Sequence, residues 1–323
     1  MNETLVFRHS VDAFYERFEV KEQIGVGAFA VVHRGFDRTT IEQVAIKEVD
    51  LSKYCTTDAS LEREIFILSE VQHENIIQLL CAYVTPLKVF IVTELATGGE
   101  LLERVVENGN FSEADARSVI YQVLKGMKYL HSKNIVHRDL KLENILLSDG
   151  SSSAVVKIAD FGLARFFSHD SELRTICGSP LYVAPEILDM DANVDTYTPA
   201  VDMWSIGVML YILLSGSTPF DNEDEQSLFQ MIRLGDYAME DHIWDHVSDE
   251  AKDCVHRLLT VNTSARMTIT EALQNHWVLG LTKAMELPDT VSTIKRTRLT
   301  GHLESFRMRQ DELRLALQNS NNP

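Results

Sequence analysis

The stretch His137-Arg138-Asp139-Leu140-Lys141-Leu142-Glu143-Asn144 is mostly polar, yet it lies between two apolar segments, Asn-Ile-Val at 134–136 and Ile-Leu-Leu at 145–147. Polar side chains set between apolar runs are fixed by a core, which makes the loop a place for chemistry. Asp139 can accept a proton from a hydroxyl, Lys141 can neutralise a phosphate, and Asn144 can ligate a metal. Any one of them taken alone reads more readily as a solvated loop residue. A second apolar run, Ala-Val-Val-Lys-Ile-Ala at 154–159, then leads to Asp160-Phe161-Gly162, twenty-one residues after Asp139. Two polar loops, each at the end of a buried strand, carry more than either does alone.

Upstream, three β-branched stretches read as strands: Phe-Glu-Val-Lys-Glu-Gln-Ile-Gly from Phe18, Val-Val-His-Arg-Gly-Phe-Asp from Val31, and Gln-Val-Ala-Ile-Lys-Glu-Val from Gln43. Between the first two lies Gly25-Val26-Gly27-Ala28-Phe29-Ala30. Glycines at a strand-to-strand turn let backbone N–H groups approach phosphates, and Phe29 at the tip can cover them. The third strand holds Lys47, a residue that at a strand edge usually snorkels to solvent. A helix is expected from Asp58 to about Val71, with Leu61, Ile65 and Leu68 on one face. That leaves Glu64 beside the face and able to reach Lys47, while its rival Glu62 faces solvent. Two further strands bring the count to five, and the second runs through Glu94 to the pair Gly98-Gly99, where the chain can cross to another unit.

Downstream the pattern is helical. Ser112-Glu113-Ala114-Asp115 resembles a capped start for a helix reaching about Ser132. The stretch Asp189 to Asp195 alternates oxygen-bearing side chains, but Val194 stands where a calcium loop needs glycine and Ala200 where it needs a bidentate glutamate, so it reads as a solvated insertion. From Pro199 a helix is apolar on almost every face and therefore central, and its Asp202 must be paired. Helices near 224–234, 248–260 and 268–277 complete this part. Residues 294–309 carry five Lys or Arg against the single acidic Glu304, interleaved with Leu299, Leu303 and Met308. Such a segment suits a calmodulin target, an autoinhibitory helix that docks on an acidic surface, or a packed terminal tail; Gly301 weakens it as a helix by roughly 1 kcal/mol.

Composition bounds the rest. The 323 residues suffice for about two domains, and 45% hydrophobic with 24% charged residues describes a globular protein. A net charge of −18 disfavours nucleic acid as a partner and favours basic ones. Cys55, Cys81, Cys177 and Cys254 form no metal or disulfide spacing, which points to a reducing compartment, cytoplasmic or nuclear. The opening residues carry charges where a secretory signal needs an apolar core, Asn2 is not the glycine of a myristoylation site, and the longest apolar run, Ile206 to Leu214, is too short for a membrane span. No membrane association is expected.

Taken together and in this order, the glycine loop, Val44-Ala45-Ile46-Lys47, His137 to Asn144, Asp160-Phe161-Gly162 and Ala184-Pro185-Glu186 resemble a eukaryotic serine/threonine protein kinase. Lys141 and Gly178-Ser179-Pro180-Leu181-Tyr182-Val183 set the chain apart from tyrosine kinases. Thr97 to Leu101, Cys177-Gly178 and Ser215 to Phe220 are most similar to the calcium/calmodulin-dependent kinase group, in its checkpoint-kinase-like or calmodulin-kinase-like branch. The resemblance implies a bilobal α+β fold: a small lobe of five antiparallel strands and one main helix over 18–97, a mainly helical lobe over 98–280, a lead-in at 1–17 and a basic tail at 281–323. It implies ATP and Mg2+ as cofactors. Ile24, Gly25, Val26, Gly27, Ala28 and Phe29 would then cover the nucleotide. Val32 and Ala45 would lie above the adenine and Leu146 beneath it, with Thr93 as gatekeeper, the backbone of Glu94 and Ala96 on its edge, and Glu100, near the mouth of the cleft, also at the nucleotide. Ala30 replaces the usual third glycine of the loop, and Leu142 the usual proline of the catalytic segment.

By the same resemblance Lys47 grips the phosphates and pairs with Glu64, Asn144 and Asp160 bind magnesium, Asp139 orients the substrate hydroxyl, and Lys141 stabilises the phosphoryl group in transfer. Glu100 and Glu143 would favour a peptide with Arg three residues before the acceptor. Thr175 would be the activating phosphorylation site with Arg138 as its charge partner. Ser179 would bond Asp139 and Lys141, Asp202 would hold the catalytic-loop backbone, and Glu186 would pair with Arg266. The competing reading, a pseudokinase scaffold, usually lacks one of Lys47, Asp139 and Asp160, and all three are present.

Overall fold

Alternation of β-branched and aromatic residues with polar ones builds the first part of the chain into a sheet whose two faces are covered differently. The structure is a computed structural model and describes residues 6–8, 11–26, 30–52, 58–108, 111–151, 153–166, 180–188, 198–240, 242–282, 292–302, 304–305 and 308. The expectations placed on Gly27, Ala28, Phe29, Thr175, Ser179 and the 189–195 insertion lie outside these residues.

The small lobe contains β1 (Val6–Arg8), α1 (Val11–Arg17), β2 (Phe18–Val26), β3 (Ala30–Asp37), β4 (Glu42–Asp50), α2 (Asp58–Glu70), β5 (Leu79–Val84) and β6 (Lys88–Glu94). The five antiparallel strands lie in the order β5-β6-β4-β3-β2. The lead-in adds a sixth: β1 runs parallel to β5 and covers its free edge, with Val6 opposite Ala82. Next to it, α1 seals the outer face of the sheet. Phe14 is fully buried, stacked on Phe90 at a ring-centroid distance of 3.9 Å and packed with Phe18 and Tyr83. Arg17 fixes the end of α1 by pairing with Asp37 at 2.7 Å. On the inner face, Leu61, Ile65 and Leu68 of α2 are buried, as their spacing predicts.

The large lobe follows with α3 (Leu101–Asn108), α4 (Glu113–Ser132), β7 (Ile135–Val136), β8 (Ile145–Leu147), β9 (Val156–Ile158), β10 (Arg165–Phe166), α5 (Pro185–Leu188), α6 (Ala200–Ser215), α7 (Glu225–Leu234), α8 (Asp249–Leu258) and α9 (Ile269–Gln274). The start of α4 is a capping box in which Ser112 and Asp115 satisfy each other's backbone N–H groups. Every residue of α6 from Val201 to Ser215 is buried, which makes it the axis of the lobe. No helix among the described residues is long and apolar enough to cross a membrane.

A further helix, α10, spans 292–302 and lies on the large lobe. Lys295 and Leu299 are its buried residues. The Lys295 Nζ donates to the Phe111 carbonyl at 2.8 Å, and burial pushes its pKa down to about 7 against the opposing pull of Asp115 and Glu113. Gly216, at φ +81°, makes the close approach possible, since a Cβ there would meet the Lys295 carbonyl oxygen at 2.6 Å. The helix continues through Gly301 because docking, rather than intrinsic propensity, stabilises it.

Candidate functional site

The polar loop 137–144 is held from below by one carboxylate. Asp202, in the first turn of α6, accepts the backbone N–H of His137 at 3.1 Å and of Arg138 at 3.0 Å, and its Oδ2 lies 2.9 Å from His131 Nε2. Full burial alone would raise the Asp202 pKa. The hydrogen bond and charge of His131, the charge of His137 and the Arg138 N–H more than offset it, and the carboxyl sits below its ordinary 3.8. The sequence required a partner for Asp202, but His131 was not legible as one. Its position in the last turn of α4 places it there through tertiary packing.

So anchored, the loop presents three side chains together. Lys141 Nζ lies 2.8 Å from Asp139 Oδ2, and Asn144 Nδ2 donates to the Asp139 carbonyl at 2.8 Å and to its Oδ2 at 3.3 Å. The second polar loop is tied to the first: Ala159 N–H donates to the Asn144 carbonyl at 2.9 Å, His137 Nε2 meets the Ala159 carbonyl at 3.2 Å, and the His137 and Phe161 rings meet edge to face at 5.0 Å. Arg138 at φ +71° and Asp160 at φ +60° occupy the left-handed region. Strain of that kind, of order 1–3 kcal/mol per residue, persists only where surrounding contacts over-determine it.

Across the cleft, Lys47 Nζ lies 2.6 Å from Glu64 Oε1 and 3.7 Å from Asp160 Oδ1. Glu64, not Glu62, is therefore the residue of α2 that reaches the lysine. The Lys47 charge holds the Asp160 carboxyl below its ordinary value. Val32 stands opposite Lys47 and Ala45 opposite Thr93 in the sheet, while in the large lobe Leu146 pairs with Lys157 and bridges to Glu100. Ile24, near the end of β2, is exposed, and Gly25 and Val26 close that strand.

Glu94 ends β6, where its side chain takes Lys157 at 2.9 Å, a contact no local pattern announced. Farther out, Arg266 pairs with Glu186 through two hydrogen bonds, 2.7 and 2.9 Å, and also donates to the Ala200 carbonyl. Glu143, expected to meet the arginine of a substrate peptide, is largely covered. It is only 8% exposed, and His302 of α10 lies beside it with Nε2 3.7 Å from Glu143 Oε1.

Asp202→Asn places an amide NH2 where two N–H donors converge, and should cost about 2–4 kcal/mol of stability at neutral pH. The folded-state pKa of Asp202 is depressed, so its contribution is complete above the unfolded value and shrinks as pH falls through and below it. Urea unfolding between about pH 6 and pH 3 should therefore show the gap between wild type and variant narrowing on the acid side; a gap independent of pH would contradict this assignment.

The comparisons with known proteins agree with this geometry. The family model for the protein kinase domain matches residues 18–278. Myosin light chain kinase A of Dictyostelium discoideum is 41% identical over 279 residues, covering 86% of this chain and 92% of that protein. Human serine/threonine-protein kinase H1 is 40% identical over 285 residues, 88% of this chain and 66% of that protein. Human calcium/calmodulin-dependent protein kinase type IV is 43% identical over 271 residues, 83% of this chain and 56% of that protein. The chain thus spans less than two thirds of the last two. By its family model and its relatives, the chain belongs to the protein kinase family and is a serine/threonine protein kinase similar to the calmodulin-dependent group.

Proposed function

We propose that the chain transfers the γ-phosphoryl group of Mg-ATP to serine and threonine hydroxyls of proteins that carry Arg three residues before the acceptor. The observation that carries this reading is the convergence of Lys47, Glu64 and Asp160 on one side of the cleft with Asp139, Lys141 and Asn144 on the other. The lobe boundary falls near Thr97, which leaves ATP between the lobes with its adenine against Val32, Ala45, Leu146 and the 93–96 backbone. Ile24, Gly25 and Val26 lie over it and Glu100 at its ribose end.

The donor set fits magnesium. Asp160 offers a deprotonated carboxylate, and the Asn144 amide nitrogen is engaged with Asp139, which leaves its oxygen as the acceptor. Hard oxygen ligands of this kind suit a divalent cation, which when bound supplies charge neutralisation for the phosphates. Lys47 holds the phosphate oxygens, kept in place by Glu64. Asp139 takes the hydrogen bond of the substrate hydroxyl and orients its oxygen in line with the γ-phosphorus. As the new O–P bond forms, the bond to the bridging oxygen of the departing ADP breaks, and Asp139 receives the hydroxyl proton. Lys141, beside Asp139, offsets the charge on the transferring group. Arg138 is the partner for a phosphate on Thr175, and Arg266 with Glu186 braces the floor of the acceptor site. The buried free thiols Cys81 and Cys254 fit a cytoplasmic or nuclear setting.

With the purified chain and a serine peptide, replacing Arg by Ala three residues before the acceptor should lower kcat/KM by about tenfold or more, and Asp139→Asn should abolish measurable transfer. Equal use of both peptides would reject the substrate preference. Undiminished transfer by the Asp139 variant would reject the mechanism.

The same reading makes α10 regulatory. Its His302 lies on Glu143, the carboxylate assigned to the substrate arginine, so the docked helix and a basic peptide compete for one site. Calcium-calmodulin binding to the basic 294–309 segment would draw the helix away. Leu299→Asp, which puts a charge into the buried face of α10, should lower the KM for the Arg peptide by about threefold or more while leaving the KM for ATP in place. Calcium-calmodulin should reproduce that fall in the wild type. A peptide KM that responds to neither would discard the regulatory role.

A further inference from the structure

The two lobes are joined at the hinge by very little backbone. On the large-lobe side the chain is already fixed at Thr97 and Gly98, whose N–H groups donate to the Ser148 and Leu147 carbonyls at 3.0 Å each. A Cβ on Gly98 would stand 2.2 Å from the Asp149 carbonyl oxygen, so this end is packed hard onto β8 and its turn. On the small-lobe side the sheet ends at Glu94. Between the two fixed ends lie only Leu95 and Ala96.

The Glu94 carboxylate spans that gap. Its Oε1 accepts Lys157 Nζ of β9 at 2.9 Å and the backbone N–H of Gln78 at 2.9 Å, while the Glu94 N–H donates to the Gln78 carbonyl at 3.0 Å. Lys157 is 14% exposed and Glu94 31%, so the pair is partly withdrawn from water. Gln78 belongs to the segment after α2, and that segment is itself stitched to the large lobe. Ile77 N–H donates to the Ile158 carbonyl at 2.9 Å and Ile158 N–H to the Asn75 carbonyl at 2.9 Å. The buried Asn75 amide reaches the Val156 carbonyl at 3.1 Å. One carboxylate oxygen therefore ties together the strand that enters the hinge, the loop leaving the helix that carries Glu64, and a strand of the opposite lobe.

We propose that Glu94 and Lys157 form an interlobe clamp that sets the position of the adenine-facing backbone, with Lys157 as a positioning residue for nucleotide binding. Any rotation of the lobes about Leu95 and Ala96 must stretch this ion pair, and the pair holds the hinge backbone at one separation from β8 and β9. Loss of the clamp leaves the reacting groups of the cleft untouched and loosens the site that receives ATP. The inference rests on the reading of residues 93–96 as the adenine edge.

The test is a cycle in the full-length chain: Lys157→Met, Glu94→Gln and the double variant, each measured for KM of ATP, KM of peptide, kcat and Tm, with Lys157→Arg as the conservative replacement. The expected result is a rise of about threefold or more in the KM for ATP in both single variants, with kcat held within about twofold. The double variant should be no worse than either single one, and Lys157→Arg should stay near wild type. The clamp is overturned if the KM for ATP is unchanged in the single variants, if their effects multiply in the double, or if kcat and Tm fall while the KM for ATP stays put. Should Lys157→Met fail to fold, Glu94→Gln with Lys157→Arg carries the same decision. A wild-type chain that binds no ATP in a direct titration would instead sink the adenine-edge reading on which the clamp rests.

Discussion

One buried carboxylate organises the two polar loops. Asp202 enters the lobe on α6, a helix with no polar face, and is fully buried where the backbone of His137 and Arg138 needs acceptors. A buried charge without partners would be costly, so the position is stable only with those N–H donors in place. The dependence runs both ways. Arg138 can keep its left-handed backbone because Asp202 takes its N–H, and His137 can reach the Ala159 carbonyl and the Phe161 ring because its own backbone is held. The loop carrying Asp160 is thereby tied to the loop carrying Asp139.

On this base the small lobe brings its own charged groups to the cleft. Lys47 lies between Glu64 and Asp160 on well-packed elements: β4 in mid-sheet and α2 against the inner face. Arg266, nine-tenths and more buried against Trp204 of α6, braces Glu186 through two hydrogen bonds. In the proposed reading, regulation acts on access and not on assembly. The lysine, glutamate and aspartate are already together while α10 lies over Glu143.

Much of this was legible in the sequence because the signals are local. The capping box at Ser112 and Asp115, the apolar face of α2 that leaves Glu64 beside it, and the all-apolar α6 are properties of short windows. What was not legible depends on contacts far apart in the chain. Phe14 sits in a mixed-polarity lead-in and looks dispensable, yet its partners Tyr83 and Phe90 lie some seventy residues away. The parallel pairing of β1 with β5 has no signature in a three-residue strand. Lys157 reads as the polar member of a strand, and only the folded hinge brings Glu94 to it. His302 reads as one residue of a basic tail, and only the docking of α10 through Lys295 and Leu299 sets it on Glu143.

The claim on which the structure stands is that the Asp202 carboxylate holds the 137–144 loop in place before any ligand arrives. Amide hydrogen exchange at His137 and Arg138 in the ligand-free chain tests it directly. Exchange as slow as in the middle of α6, accelerated at both amides by Asp202→Asn more than in α6 itself, is the expected result. Exchange at those two amides as fast as in an exposed loop would contradict it.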